Sequence, residues 1–139
     1  LLLTSAGEVI VRRNQFFTPG AAVLVEGDSN YWFESGATTH ILIEENEFTD
    51  CAYVPDWGAA PIQVSPSAKV WEDGKRYHQC LEIKNNIFRC FDKRLVWASN
   101  LQTLIFEQNV IEKTETFPEI SGNAFELDGI LEFKTDVEQ

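Results

Sequence analysis

Apolar and polar positions alternate along much of the chain, and four times the alternation runs into the same signature. VIVRRNQF (9–16), ILIEENEF (41–48), LEIKNNIF (81–88) and LIFEQNVI (104–111) align without gaps as apolar, any, apolar, polar, polar, Asn, any, apolar. A looser fifth copy, LEFKTDVE (131–138), places Asp136 in the Asn slot. Alternation of period two predicts a short strand at the head of each copy. The Asn is expected to form a corner, because it tolerates left-handed backbone geometry and bonds its own main chain. The apolar residue two positions on turns back inward. No segment sustains a helical period.

Strand, corner, strand, repeated at similar length, predicts an all-β, right-handed parallel β-helix of about five to six rungs. It would fill residues 1–139 as one domain. Equivalent residues of successive rungs would stack about 4.8 Å apart. Asn14, Asn46, Asn86 and Asn109 would then form one internal ladder of amides. Phe16, Phe48, Phe88 and Ile111 would form an apolar stack beside it. The alternative is a β-sandwich in which the repeat is a coincidence.

The spacing of the ladder asparagines locates insertions. From Asn86 to Asn109 is 23 residues, from Asn14 to Asn46 is 32, and from Asn46 to Asn86 is 40. A second strand starts nine residues after Asn14, at Val23, and nine after Asn86, at Leu95. The extra residues of the first long rung therefore follow that strand, at 28–38. In the next rung the matching strand starts at Pro61, which leaves a small insert at 51–60 and a larger one at 66–78. The two larger inserts, DSNYWFESGAT and PSAKVWEDGKRYH, thus leave the same corner of adjacent rungs. Repeat folds group function in such insertions on one face.

Together these inserts carry Asp28, Tyr31, Trp32, Glu34, Trp71, Glu72, Asp73, Tyr77 and His78, while Asp56 and Trp57 belong to the small insert at another corner. Aromatic faces beside carboxylates suit a sugar, whose C–H face stacks on a ring while its hydroxyls donate to the acids. Asp28, Trp32, Glu34, Trp71 and Glu72 are the candidate sugar-binding residues. Asp28 and Glu34 are also weak candidates for proton transfer, since two carboxyl groups across a glycosidic bond suffice for hydrolysis. Each has a plainer reading: Asp28 as a turn cap, Trp32 as a cover for the core, Glu72 and Asp73 as an exposed turn. His40 and His78 sit before strands, where they would satisfy loop backbone groups. Trp97 reads as core or surface packing on the second strand.

Composition narrows the partners. With 22 acidic and 11 basic residues, a formal charge of -11, the chain is ill suited to nucleic acid or an anionic membrane surface. No apolar run approaches the roughly 20 residues of a membrane-spanning helix. Cys51, Cys80 and Cys90 form no Cys-x-x-Cys and no metal spacing. They read as buried free thiols, with one disulfide or a metal as the alternatives. No metal or other cofactor is expected.

The opening segment, above all VLVEGDSNYWFESG, resembles the glycoside hydrolase family 110 α-1,3-galactosidases. YHQCLEIKNNIFRCFD and LVWASNLQTLIFEQN are also similar to that family, and the resemblance spans most of residues 1–112. It implies a parallel β-helix and inverting hydrolysis of terminal α-1,3-linked galactose without a metal. Gly27, Asp28, Trp32, Glu34, Ser35 and Gly36 match, as a cleft wall contacting the sugar. The family's catalytic acids are associated with an Asp-Asp pair, and this chain has none. The chain is therefore expected to be a fragment, from the C-terminal part of the helix, whose partners are the remaining rungs of its parent. The expected compartment is extracellular or periplasmic. A non-catalytic glycan-binding or scaffold module is the competing reading. A pectin-degrading enzyme fits poorly, because the corner offers few basic groups beyond Lys69, Lys75 and Arg76.

Overall fold

The computed structural model describes residues 1–4, 7–27, 38–66, 76–120 and 122–138. Twelve strands form among them: β1 (Leu2–Leu3), β2 (Gly7–Arg12), β3 (Gln15–Phe16), β4 (Val23–Val25), β5 (Thr38–Glu44) and β6 (Glu47–Thr49). After a 3-10 turn at Pro55–Trp57 come β7 (Ile62–Val64), β8 (His78–Lys84), β9 (Ile87–Cys90), β10 (Val96–Glu107), β11 (Val110–Lys113) and β12 (Phe125–Thr135). No helix among the described residues is long and apolar enough to cross a membrane.

The strand pairings are parallel, and the chain is all-β, with its strands in a curled sheet. One sheet runs β1-β4-β7-β10-β8-β5-β2, with β12 alongside β10; a second runs β11-β9-β6-β3. The curl is carried by β10. Its first half pairs with β7, Val96 opposite Ile62, and its second half with β8, Leu101 opposite His78. The bend between the halves falls at Asn100, whose φ is 54°.

The first four copies pair in the register their sequences predict. Val9 lies opposite Ile41, Ile41 opposite Leu81, and Leu81 opposite Leu104. The asparagines form one column. Asn46 Oδ1 accepts from Asn14 N–H (2.9 Å) and Nδ2 (3.1 Å). Asn86 Oδ1 accepts likewise from Asn46 (3.0 and 3.1 Å), and Asn109 Oδ1 from Asn86 (3.0 and 3.0 Å).

Three details differ from the sequence reading. The left-handed residue of each corner is the one before the ladder Asn: Arg13, Glu45, Asn85 and Gln108 have φ of 59°, 56°, 57° and 59°. The Asn itself turns its amide onto main-chain oxygens, Asn46 Nδ2 reaching Glu44 O and Val11 O. Second, the aromatic stack runs Phe16–Phe48–Phe88–Phe106, with centroids 5.1, 4.7 and 5.4 Å apart. Ile111 pairs opposite Phe88 yet is 44% exposed, because β11 is the edge of its sheet. Third, the fifth copy is displaced by two residues. Leu104 lies opposite Phe133 and not Leu131, which is 41% exposed. Asp136 therefore falls short of the Asn column and instead accepts from Gln108 N–H at 2.9 Å.

The core lies between the sheets, where Val25, Ile43, Phe48, Ile62, Ile83, Phe88 and Phe106 are fully buried. The small insert at 51–60 falls between β6 and β7, as its length excess predicts. It is tied down by Arg94, which pairs with Asp92 and donates to Ala59 O (2.8 Å) and Ala52 O (2.9 Å). Burying this charge is tolerable because it is paired with a carboxylate and each of its three nitrogens donates a hydrogen bond.

Candidate functional site

The two large inserts leave one corner. β4 ends at Val25 and the next strand begins at Thr38; β7 ends at Val64 and the next begins at His78. In the rung above, β10 rounds the same corner in one residue, Asn100. In β12 the place is held by Gly129, with φ of 69°. Asp28, Trp32, Glu34, Trp71 and Glu72, with Tyr31 and Asp73, lie outside the described residues, as does the matched pair Ser35 and Gly36. What the structure describes is the base from which both inserts rise.

That base is closely built. Tyr77, at the end of the second insert, packs its ring onto Gly27, at the start of the first. A Cβ on Gly27 would sit 2.5 Å from Tyr77 Cε1 and 2.6 Å from its hydroxyl oxygen. This close approach is what the glycine permits. Tyr77 N–H donates to Asn100 Oδ1 (2.8 Å), and Arg76 Nε donates to Gly129 O (2.6 Å). The second insert thus ends on the corners of the two rungs above it.

Beneath Tyr77 lies a buried polar pair. Thr38 N–H donates to His78 Nδ1 at 3.2 Å, and Thr38 Oγ1 lies 2.9 Å from the same nitrogen. A backbone N–H can only donate, so Nδ1 carries no proton and the ring's proton sits on Nε2. Nε2 is buried with no hydrogen-bond partner among the described residues. Burial pushes the pKa of His78 down to about 4, so the ring is neutral near pH 7. His78 opens β8 and does meet a backbone group, as the sequence suggests, though from inside the fold. His40 is different. It lies within β5, partly exposed, with Nε2 3.2 Å from Glu82 Oε2.

The remaining candidates scatter. Trp57 is 68% exposed at the small insert, away from this corner. Trp97 is no core residue; it stands outward and half-buried on β10. The three cysteines are free. Cys51 and Cys90 are buried, and burial pushes both thiols up, Cys90 to about 12. Cys80 is half-exposed, raised by partial burial and by Glu82 and Glu132. No group of three metal-ligating side chains occurs among the described residues.

The fold and corner define a parallel all-β chain with two long inserts that leave one corner at adjacent turns. No protein-family profile matches the chain. Comparison with curated proteins shows that it is homologous to a segment of the α-1,3-galactosidases, as the resemblance in the sequence indicates. It is 38% identical over 125 residues to alpha-1,3-galactosidase A of Bacteroides fragilis, covering 89% of this chain and 21% of that protein. It is 35% identical over 118 residues to alpha-1,3-galactosidase A of Shewanella woodyi, covering 85% and 19%. It is 33% identical over 119 residues to alpha-1,3-galactosidase B of Bacteroides thetaiotaomicron, covering 84% and 19%. The chain spans about a fifth of the length of these relatives.

Proposed function

We propose that the chain is a stretch of right-handed parallel β-helix from a carbohydrate-active protein. In this reading it contributes a sugar-binding wall to an inverting, exo-acting α-galactosidase. The observation that carries the reading is the common corner: Gly27 and Tyr77 bring the bases of both inserts into contact. Inserts rooted together can face one ligand. Their sequences supply rings for stacking (Trp32, Trp71) and carboxylates for hydroxyl groups (Asp28, Glu34, Glu72). The names of the relatives supply the substrate class, an α-1,3-linked galactoside; that the galactose is terminal is part of the proposal. The partners are the other rungs of the parent protein and a galactose-containing glycan, met in an extracellular or periplasmic setting.

The test is a pair of substitutions in the complete protein. Glu34→Gln should weaken sugar binding or turnover by roughly 1–3 kcal/mol, the scale of a charged hydrogen bond, with little change in melting temperature. Trp32→Ala should also weaken binding. If Trp32 only covers the core, its loss costs about 3–5 kcal/mol of stability and leaves affinity unchanged. Unchanged affinity in both variants ends the proposal. Sugar binding by the complete protein without release of galactose would assign the chain to a non-catalytic glycan-binding module instead. The isolated chain should release little or no galactose, and robust turnover by it alone would contradict the fragment reading.

A further inference from the structure

The corner at Asn100 and Gly129 divides two outward faces of the curled sheet. On the side of β5 and β8 several acids are paired in place. Glu44 pairs with Arg12, Glu82 with Lys84 and with the ring of His40, and Glu107 with Lys134, while Glu132 accepts from Thr103 Oγ1 and Glu8 forms no ion pair among the described residues. Between them stand the aliphatic Ile10, Leu42 and Ile105, two residues from the next outward position.

The side of β4, β7, β10 and β12 is built otherwise. Register places Leu24, Gln63, Trp97 and Glu126 in one outward row across the four strands. Val25, Val64 and Ala98 follow them inward and buried. The next residues, at the corner itself, are Glu26, Ser65, Ser99 and Asp128, and all are at least partly exposed. None of Glu26, Glu126 and Asp128 forms an ion pair among the described residues. Gln63 is held rigidly: its Oε1 accepts from Ala59 N–H (2.9 Å) and its Nε2 donates to Ser65 Oγ (3.3 Å), leaving one amide hydrogen over. Trp97 stacks on no other ring among the described residues. Its neighbours on either side lie about 4.8 Å away, the spacing of paired strands.

We infer that the sugar ring lies on this face, at the foot of the inserts, with the Trp97 indole as its stacking platform. Gln63 and Glu126 flank the platform and Asp128 sits diagonally beside it. Glu126 Oε1 accepts from Asn123 Nδ2 (2.8 Å), which leaves its other oxygen, and Asp128, for a ligand. An aromatic ring beside carboxylates without ion pairs and a fixed amide matches a neutral polyol with one apolar face. The inference rests on the galactoside reading and adds to it the floor of the site and the side of the corner on which the ligand lies.

Trp97 can be followed directly. In the complete protein, the indole N–H signals of the four tryptophans of this chain, Trp32, Trp57, Trp71 and Trp97, are assigned in a nitrogen-15 spectrum by single Trp→Phe variants. Titration with methyl α-galactoside to about 100 mM should move the Trp97 signal along a saturating curve and leave that of Trp57 in place. Trp97→Ala should weaken the affinity at least tenfold while the melting temperature changes little, and Trp97→Phe should restore part of it. If the signals of Trp32 and Trp71 move while Trp97 stays, the galactoside reading stands and the inference is wrong. If no indole responds, the galactoside reading fails and the inference fails with it.

Discussion

The ring of Tyr77 lies against the α-carbon of Gly27, fifty residues earlier in the chain, where a single methyl group would collide with it. This contact joins the bases of the two inserts and leaves no slack. Gly27→Ala should therefore cost about 1–3 kcal/mol of stability, the usual penalty of overpacking. It should weaken sugar affinity as well, since Tyr77 must move. In Gly27→Ala/Tyr77→Ala the second change makes room for the first. A double-mutant cycle should show coupling of at least about 1 kcal/mol; additive effects would mean the two residues act separately.

The asparagine column makes a graded prediction. Asn86 is buried and serves four partners: Asn46, Asn109, Lys84 O and Ile43 O. Asn86→Ala leaves several buried groups without partners and should cost more than about 3 kcal/mol. Asn14 is exposed at the edge of the column, and Asn14→Ala should cost about 1 kcal/mol or less. Denaturant midpoints of the two variants check the order, and equal losses would contradict a role set by burial.

His78 gives the fold a specific weakness toward acid. Unfolded, the ring titrates near its ordinary value of 6.5; folded, burial holds it down to about 4. Below pH 6.5 the unfolded chain takes up a proton that the folded chain refuses, so stability falls as pH falls from about 6.5 to about 4. The loss amounts to on the order of 3 kcal/mol for this residue. Between pH 7 and pH 5 the wild type should lose stability faster than His78→Asn, which cannot charge. Parallel curves would show that His78 does not titrate in this way.

Each corner also holds a non-glycine residue in left-handed geometry, which costs roughly 1–2 kcal/mol. Glu45 is one of these, and its pairing with Arg13 is exposed and worth little. Glu45→Gly should thus raise stability by about 0.5–1 kcal/mol, after the entropic cost of glycine is counted. A lower melting temperature would show that the ion pair outweighs the strain.

These positions also show what could be read from the sequence. The Asn column was legible because a side chain that bonds its own repeat must recur in the same place, as Asn14, Asn46, Asn86 and Asn109 do. The inserts were legible as excess length between those asparagines. The register of the fifth copy was not. A pattern of period two looks alike after a shift of two, so Leu131 and Phe133 compete equally for the inward place until packing decides. The left-handed corner was assigned to the Asn because its propensity points there, whereas the ladder needs the Asn side chain inward and passes the turn to Arg13 or Glu45. Thr38 and His78, forty residues apart, share no local signal. Nor does the outward position of Trp97, because Leu95 and Val96 beside it are both buried and break the alternation.

The Asn-to-Asn hydrogen bonds of the column all run one way, each giving to the Asn of the copy that follows, although Asn46, Asn86 and Asn109 also give one amide hydrogen back to a main-chain oxygen of the copy before. The amide dipoles therefore add head to tail and polarise one another. At Asn14 the column presents an oxygen, which can only receive; near its other end the carboxylate of Asp136 receives from Gln108 and, when ionised, has no proton to give onward. Such a column has a sense, like a threaded rod. Two copies meeting through the Asn14 edge would set oxygen against oxygen, so this edge is chemically biased against pairing with itself and toward a strand that arrives bearing donors.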